Sequence, residues 1–283
     1  MAEPSALARW QRQIDRYREQ QHTEGPPSWE QQDGWYDRWV RENDYHQKTL
    51  SYFLEKFSSG DRVLEIGPGT GALTLPLAEA GAVVLGLEPS AMMRHRLQKN
   101  LRLKGLSQVQ LLPEKVEDSL ETIQKRGPFR SALASFSLYN VREIDLVLET
   151  LLACSEQVWI LLGTGIHSPW YRGLIEKFAG DDPISAPQLN YLYPLLLEMG
   201  ILADVRILQA SQNYVFENEK VMVDWWQNRL KTPESQKTQL TKSLQMLAER
   251  RNGSVGIYKN RLIALVVIEE KHHIWKSPPD RKT

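Results

Sequence analysis

The sequence predicts a doubly wound α/β fold, with a mostly parallel sheet covered by helices on both faces. Three observations carry this. Short apolar segments alternate with helical ones from about Gly60 to Gly163. Two of those helices, 72–81 and 91–105, stop at a glycine. A turn with three glycines, Gly67-Pro68-Gly69-Thr70-Gly71, lies directly between the first strand and the first helix of the series. Strand–helix repetition at this spacing makes βαβ units, whose parallel strands are buried on both sides.

The elements follow in order. Residues 5–21 read as a polar helix, and EGPPS (24–28) breaks it. A second helical region, about Trp29 to Phe57, is rich in aromatics. RVLEI (62–66) is a short apolar strand and ALTLPLAEAG (72–81) a helix. VVLGLE (83–88) is a strand, and AMMRHRLQKNLRLKG (91–105) a helix closed by glycine. VQLL (109–112), SALASF (131–136) and VWILLG (158–163) are strands. Helices at 116–126 and 143–153 separate them. After Gly163 the rhythm changes: helices in PWYRGLIEKFAG and LNYLYPLLLEMG, a strand at 201–209, a helical stretch over 218–250, and a last strand in 256–270.

Composition narrows the function classes. The 283 residues suffice for a real core, and the formal net charge is zero. A neutral total argues against strong non-specific binding to nucleic acid, which needs a basic surface. The single cysteine, Cys154, allows no internal disulfide. The N-terminal stretch lacks the apolar run of a signal peptide, and no apolar segment is long enough to span a membrane. The expectation is a cytoplasmic protein, a monomer or a homodimer. No cluster has metal-ligand spacing, so no metal is expected.

The glycine turn asks for a ligand. In a doubly wound sheet it lies at the carboxyl ends of the strands, where ligands bind. The next strand ends in Glu88, 21 residues past Gly67, and an acid there can accept both hydrogen bonds of a ribose diol. Read as Gly67-x-Gly69-x-x-Ala72, the turn also fits a dinucleotide site. Glu65 tilts the choice: a buried carboxylate beside the loop repels a pyrophosphate and suits a cofactor carrying an ammonium group. Glu88 also runs into Pro89-Ser90-Ala91-Met92-Met93.

Glu65-x-Gly67-x-Gly69-x-Gly71, joined to LEPSAMM, resembles motifs I and II of the class I S-adenosylmethionine (SAM) methyltransferases, over about residues 60–165. The resemblance implies a Rossmann-like sheet of seven strands with the last one antiparallel. It implies SAM as cofactor and S-adenosylhomocysteine (SAH) as product. Glu65 falls near the methionine moiety, and Gly67, Pro68, Gly69 and Gly71 beneath it. Glu88 falls on the ribose hydroxyls and Met92 or Met93 near the adenine, with Pro89 also against the cofactor. The third motif departs from the family's usual Gly-Asp-Ala pattern. Glu117 is chosen there to reach the adenine amino group, with Glu114 and Asp118 competing.

The motif also resembles that of the rRNA adenine dimethyltransferases, but their Asn-Leu-Pro-Tyr or Phe clamp is missing from the fourth strand. That strand ends Ser135-Phe136-Ser137-Leu138-Tyr139-Asn140, similar to small-molecule methyltransferases, so Ser135, Phe136, Ser137 and Tyr139 are expected against cofactor or substrate. His167 and Tyr139 are the candidate catalytic groups, since both follow strand ends. Tyr36, Tyr45, His46 and Trp170 are candidates for a lid or substrate wall. The chain is divided into a helical N-terminal cap, 1–58, and a SAM-binding domain, 59–283, with a helical insertion at about 218–250. The expected function is methyl transfer from SAM to a small molecule. The alternatives are an NAD(P)-dependent oxidoreductase and a catalytically silent SAM-binding regulatory protein.

Overall fold

The computed structural model describes residues 3–24, 35–179 and 184–269. Its strands are β1 (Arg62–Ile66), β2 (Val83–Leu87), β3 (Val109–Leu112), β4 (Phe129–Ser135), β5 (Ser155–Gly163), β6 (Asp204–Phe216), β7 (Glu249–Arg251) and β8 (Ser254–Glu269). They join in one sheet in the order β3-β2-β1-β4-β5-β8-β6, with the short β7 paired to β8. The first five strands run parallel, and β8 is antiparallel to β5 and β6. The order reverses between β1 and β4, which makes their carboxyl ends the switch point of the sheet.

Eleven α-helices occur among the described residues: α1 (Ala6–Glu24), α2 (Trp35–Glu42), α3 (Tyr45–Leu54), α4 (Thr74–Glu79), α5 (Ala91–Lys104), α6 (Leu120–Arg126), α7 (Ile144–Cys154), α8 (Pro169–Phe178), α9 (Leu189–Glu198), α10 (Glu219–Leu230) and α11 (Lys237–Leu247). No helix among the described residues is long and apolar enough to cross a membrane. Helix α5 shows why the sequence punctuates as it does. The Ser90 hydroxyl caps it by accepting from the Met93 N–H, and Gly105 ends it in the left-handed region.

Side chains alternate across the sheet, so successive residues feed different cores. Leu64 and Ile66 of β1 join Ala132, Ala134, Val158 and Ile160 on one face, with α7 and α9. Val63 joins Leu133, Trp159 and Leu161 on the other, with α3 and α4. The N-terminal segment contributes to both faces. Helix α1 buries Ala6, Trp10 and Ile14 on the first, and the Trp10 Nε1–H donates to the Val141 carbonyl at 2.8 Å. Helix α3 buries Tyr45 and Phe53 on the second.

Two stretches differ from the sequence reading. The strand expected over 201–209 runs on to Phe216, and the helical stretch 218–250 is two helices followed by β7. Lys231, in the left-handed region, closes α10 and breaks the stretch. The β5–β8 ladder stops at Gly163 opposite Ile263, while β6 and β8 continue together as far as Phe216 opposite Val255. This two-stranded ribbon projects past the carboxyl end of β5. Helices α8, α10 and α11 pack on it around a third hydrophobic cluster, which includes Tyr171, Tyr214, Met222, Trp226 and Leu240.

Strand β6 is an edge, and an open edge needs cover. The α2–α3 corner supplies it. The Asn43 Oδ1 accepts from the Asn213 N–H at 2.8 Å, its Nδ2 donates to the Trp39 carbonyl at 2.8 Å and to the Asn213 carbonyl at 3.3 Å, and the Asp44 carboxylate accepts from the Ser211 N–H at 2.7 Å. Asn43 is buried, so Asn43→Ala strands these groups and is expected to lower stability by about 1–3 kcal/mol. A urea melt checks it. A loss below about 0.5 kcal/mol means that water reaches the edge without the asparagine.

Candidate active site

The glycine turn leaves β1 at the switch point. Gly67, Gly69 and Gly71 all lie at positive φ, +68°, +60° and +99°. Only glycine takes such angles without strain. Two of the three also lack room for a side chain. A Cβ on Gly67 would stand 2.6 Å from the Ser137 Cβ, and one on Gly71 would stand 2.5 Å from the Leu97 Cδ1. The turn is therefore packed between the segment after β4 and helix α5. Pro68 is buried over β2, close to Gly86.

Two carboxylates flank this turn. Glu65 sits near the end of β1, fully within the core, and accepts from the Thr74 hydroxyl at 2.6 Å. Burial pushes its carboxyl up to about 7, against the help of Thr74, and the nearby charge of Glu88 pushes the same way. Glu88 follows β2. One of its oxygens accepts from the Gly69 N–H and the other from the Ser90 N–H, each at 2.9 Å. Burial also raises Glu88, and these two backbone donors and Arg94 oppose the rise. A fixed acid thus braces the middle of the turn, and a second, poised between its neutral and ionised forms near pH 7, lies beneath it.

The segment after β4 forms the other wall. Phe136 stands at φ +50°, unusual for an aromatic residue, while its N–H still donates to Leu161 at 2.8 Å. Its ring meets the Tyr45 ring edge-on at 5.0 Å and lies 6.1 Å from Tyr139. The Ser135 and Ser137 hydroxyls are buried without a hydrogen-bond partner. Helix α3 brings in His46, whose Nδ1 is likewise buried without a partner. Burial, with the Arg261 charge adding to it, drives this imidazole down to about 3, so it is neutral. Burial raises the Tyr45 phenol to about 12 and pushes Tyr139 higher still. Tyr139 is therefore a hydrogen-bonding phenol at neutral pH, and a poor base.

The structure brings several sequence-predicted residues together and scatters others. Glu65, Pro68, the three glycines, Glu88, Ser135, Phe136, Ser137, Tyr45, His46 and Tyr139 gather around the switch point. Met93 points into the core, Met92 is half-exposed and Pro89 exposed. Glu117 faces α1 and the start of α7: it accepts from the Arg142 N–H at 3.0 Å and lies 3.9 Å from Arg18. Its competitor Glu114 accepts from the Ser119 hydroxyl, and Asp118 is exposed. His167 leads into α8, its ring 5.2 Å from that of Tyr171. Trp170 packs against Tyr171, Tyr214 and Trp226. The Tyr36 side chain lies outside the described residues.

Sequence reasoning missed the group opposite this wall. Arg261 of β8 lies over the Phe136 ring at 4.7 Å and the Tyr45 ring at 5.2 Å. Arg229 of α10 lies over Trp225 at 5.3 Å. The available signal was one arginine at the mouth of the apolar run LIALVVI, and the aromatic pair in DWWQNRL.

A glycine turn at the switch point of a 3-2-1-4-5 sheet with an antiparallel neighbour is the arrangement of the class I SAM-dependent methyltransferases. A family model described as a methyltransferase domain matches residues 36–192, more than half of the chain, and the chain belongs to that family. SAM is the cofactor of this fold and family. The chain is similar to ribosomal RNA small subunit methyltransferase A of Cutibacterium acnes, 30% identical over 103 residues, which is 36% of this chain and 34% of that protein. It is also similar to an uncharacterized methyltransferase of Oceanobacillus iheyensis, 45% identical over 58 residues, 20% of this chain and 26% of that protein. These matches span about a third or less of the curated relatives. Among solved structures, the YcgJ protein of Bacillus subtilis superimposes with a TM-score of 0.51 at 12% identity, over 80% of this chain and all of that one. A putative methyltransferase of Bacillus halodurans gives 0.51 at 12% identity, over 79% and 99%. Both show the fold.

Proposed function

We propose that this protein transfers a methyl group from SAM to a small-molecule acceptor. The observation that carries the reading is the pair Glu65 and Glu88, two buried acids on either side of a turn whose three glycines all lie at positive φ. A buried carboxylate near pH 7 with one hydrogen-bond donor fits an ammonium group. An acid at the end of β2 fits a diol, and the orphaned Ser135 and Ser137 hydroxyls offer further polar contacts.

Bound there, SAM would supply a methyl carbon activated by its sulfonium, with a neutral thioether as the leaving group. The chain has three tasks. Glu65, ionised, holds the ammonium end of the cofactor. Glu88 accepts from the ribose hydroxyls while it keeps the turn in shape through Gly69. Phe136, Tyr45 and Tyr139 exclude water and align the acceptor, which is most of what an in-line displacement needs. Tyr139 donates a hydrogen bond. His167, half-exposed at the start of α8, takes the acceptor's proton where one must leave. The helices before β1 and the α10–α11 pair serve as the two covers of the site.

Zero net charge and a fourth strand ending Ser-Phe-Ser-Leu-Tyr-Asn count against a nucleic-acid acceptor. The reading is tested by calorimetric titration with SAH, with NADH as control. Micromolar SAH binding is expected, with none for NADH. Glu88→Ala is expected to weaken SAH by about tenfold to a hundredfold, since it removes a charged acceptor. No SAH binding to the folded protein overturns the reading.

A further inference from the structure

Arg261 and Arg229 stand out together: each guanidinium lies over an aromatic ring, both charges reach Tyr214, and neither is in an ion pair among the described residues. Arg261 is half-buried, and its Nε is buried without a hydrogen-bond partner. It is held over two aromatic faces, one of which, Phe136, belongs to the segment packed against the glycine turn. In register, Arg261 lies opposite Ala210 and two residues before Ile263, the partner of Gly163 at the end of β5. That places it just beyond the carboxyl edge of the sheet, on the side where the cofactor site opens.

The second arginine approaches from the ribbon helices. Arg229 lies within hydrogen-bond reach of the Tyr171 hydroxyl. Tyr214 is the link between the two: its phenol is raised by burial while the charges of both Arg229 and Arg261 oppose that rise. Tyr214 also packs at 4.9 Å on Trp226 and 5.4 Å on Trp225. Buried polar atoms without partners gather on the same elements, including the Trp170 and Trp226 Nε1 groups. Such groups are costly unless something completes them, and their clustering marks a place for a ligand. The ligand's chemistry follows from the walls. Two guanidinium groups without a carboxylate partner call for an anion, and flat aromatic faces call for a flat molecule.

We propose that the methyl acceptor is a planar aromatic acid, its anionic group held by Arg261 with Arg229 behind it, its ring lying among Phe136, Tyr45 and Tyr214. This deepens the methyltransferase reading and rests on it. On this inference α3, the segment after β4 and the β6–β8 ribbon all touch the same small molecule.

The test uses tryptophan fluorescence of the full chain saturated with SAH, titrated with benzoate and 2-naphthoate and with benzamide and 2-naphthamide as neutral isosteres. At least one acid is expected to quench the fluorescence, with its amide binding about tenfold or more weakly. Arg261→Gln is expected to weaken the acid by roughly tenfold to a hundredfold and to leave the amide and SAH unchanged. Arg261→Lys recovers part of the loss by keeping the charge. If SAH binds but the acids bind no better than the amides, or Arg261→Gln binds the acids like the wild type, this inference is overturned and the cofactor reading stands. If SAH fails to bind the folded chain, the cofactor reading falls and this inference falls with it.

Discussion

Replacing Glu65 by glutamine is expected to make the protein more stable at pH 8 and unable to hold its cofactor. The stability half follows from burial. An acid whose carboxyl is pushed up to about 7 binds its proton more tightly in the folded chain than in the unfolded one. Its contribution to stability is fully present below about pH 4.5 and is lost as pH rises through 7. Above that the wild type keeps an ionised carboxylate out of water, at a cost of ~3 kcal/mol for a shift of this size. Glutamine keeps the oxygen that accepts from Thr74 and carries no charge. Urea melts should show the variant gaining stability from pH 5 to pH 8 relative to wild type.

The binding half runs the other way. SAH affinity in the wild type is expected to rise by up to tenfold per pH unit below 7 and to flatten above, since only the ionised carboxylate holds an ammonium group. In the glutamine variant that dependence disappears, and affinity at pH 8 falls by roughly 2–5 kcal/mol. Equal melts at pH 8, or unchanged SAH affinity, would remove Glu65 from the site.

Gly67→Ala is the second large effect. The new Cβ meets the Ser137 Cβ at 2.6 Å, and the residue stays at φ +68°. The left-handed backbone costs roughly 1–2 kcal/mol and the overlap roughly 1–3 kcal/mol more. The turn can relax only by lifting off the segment after β4, so SAH binding should weaken as well. Ser137→Gly removes one side of the overlap and leaves the backbone strain. The double variant should therefore recover about 1 kcal/mol relative to the sum of the two singles. Additive effects would show that the turn and the β4 segment do not bear on each other.

How much of this was legible in the sequence depends on how local the signal was. β1, β2 and β3 could be read almost to the residue, because apolar runs, glycine stops and the Ser90 cap are written within a few positions of each other. Glu65 and Glu88 could be read too, since each sits at the end of a strand beside a recognisable turn. β6 beyond Gln209 was not. Its Ser-Gln-Asn stretch breaks the apolar alternation, and it is a strand because Asn43, Asp44 and β8 satisfy its backbone from distant parts of the sequence. Arg261 was missed for the same reason. A single cation in a strand carries no local signal, and only the approach of Phe136 and Tyr45 gives it a role.

The ribbon formed by β6 and β8 has a consequence for how such a protein can diverge. Its hydrophobic cluster is built by α8, α10, α11 and the ribbon itself, while the cofactor half rests on the two clusters that flank the main sheet. On the proposed reading, Phe136 and Tyr45 share a reservoir of stability with the residues that hold the methyl donor, while the ribbon side of the acceptor site, Tyr214 and the α10 residues around it, draws on another. A lineage can rewrite Trp225, Trp226 or Arg229 and try a new acceptor while the glycine turn, Glu65 and Glu88 keep their footing.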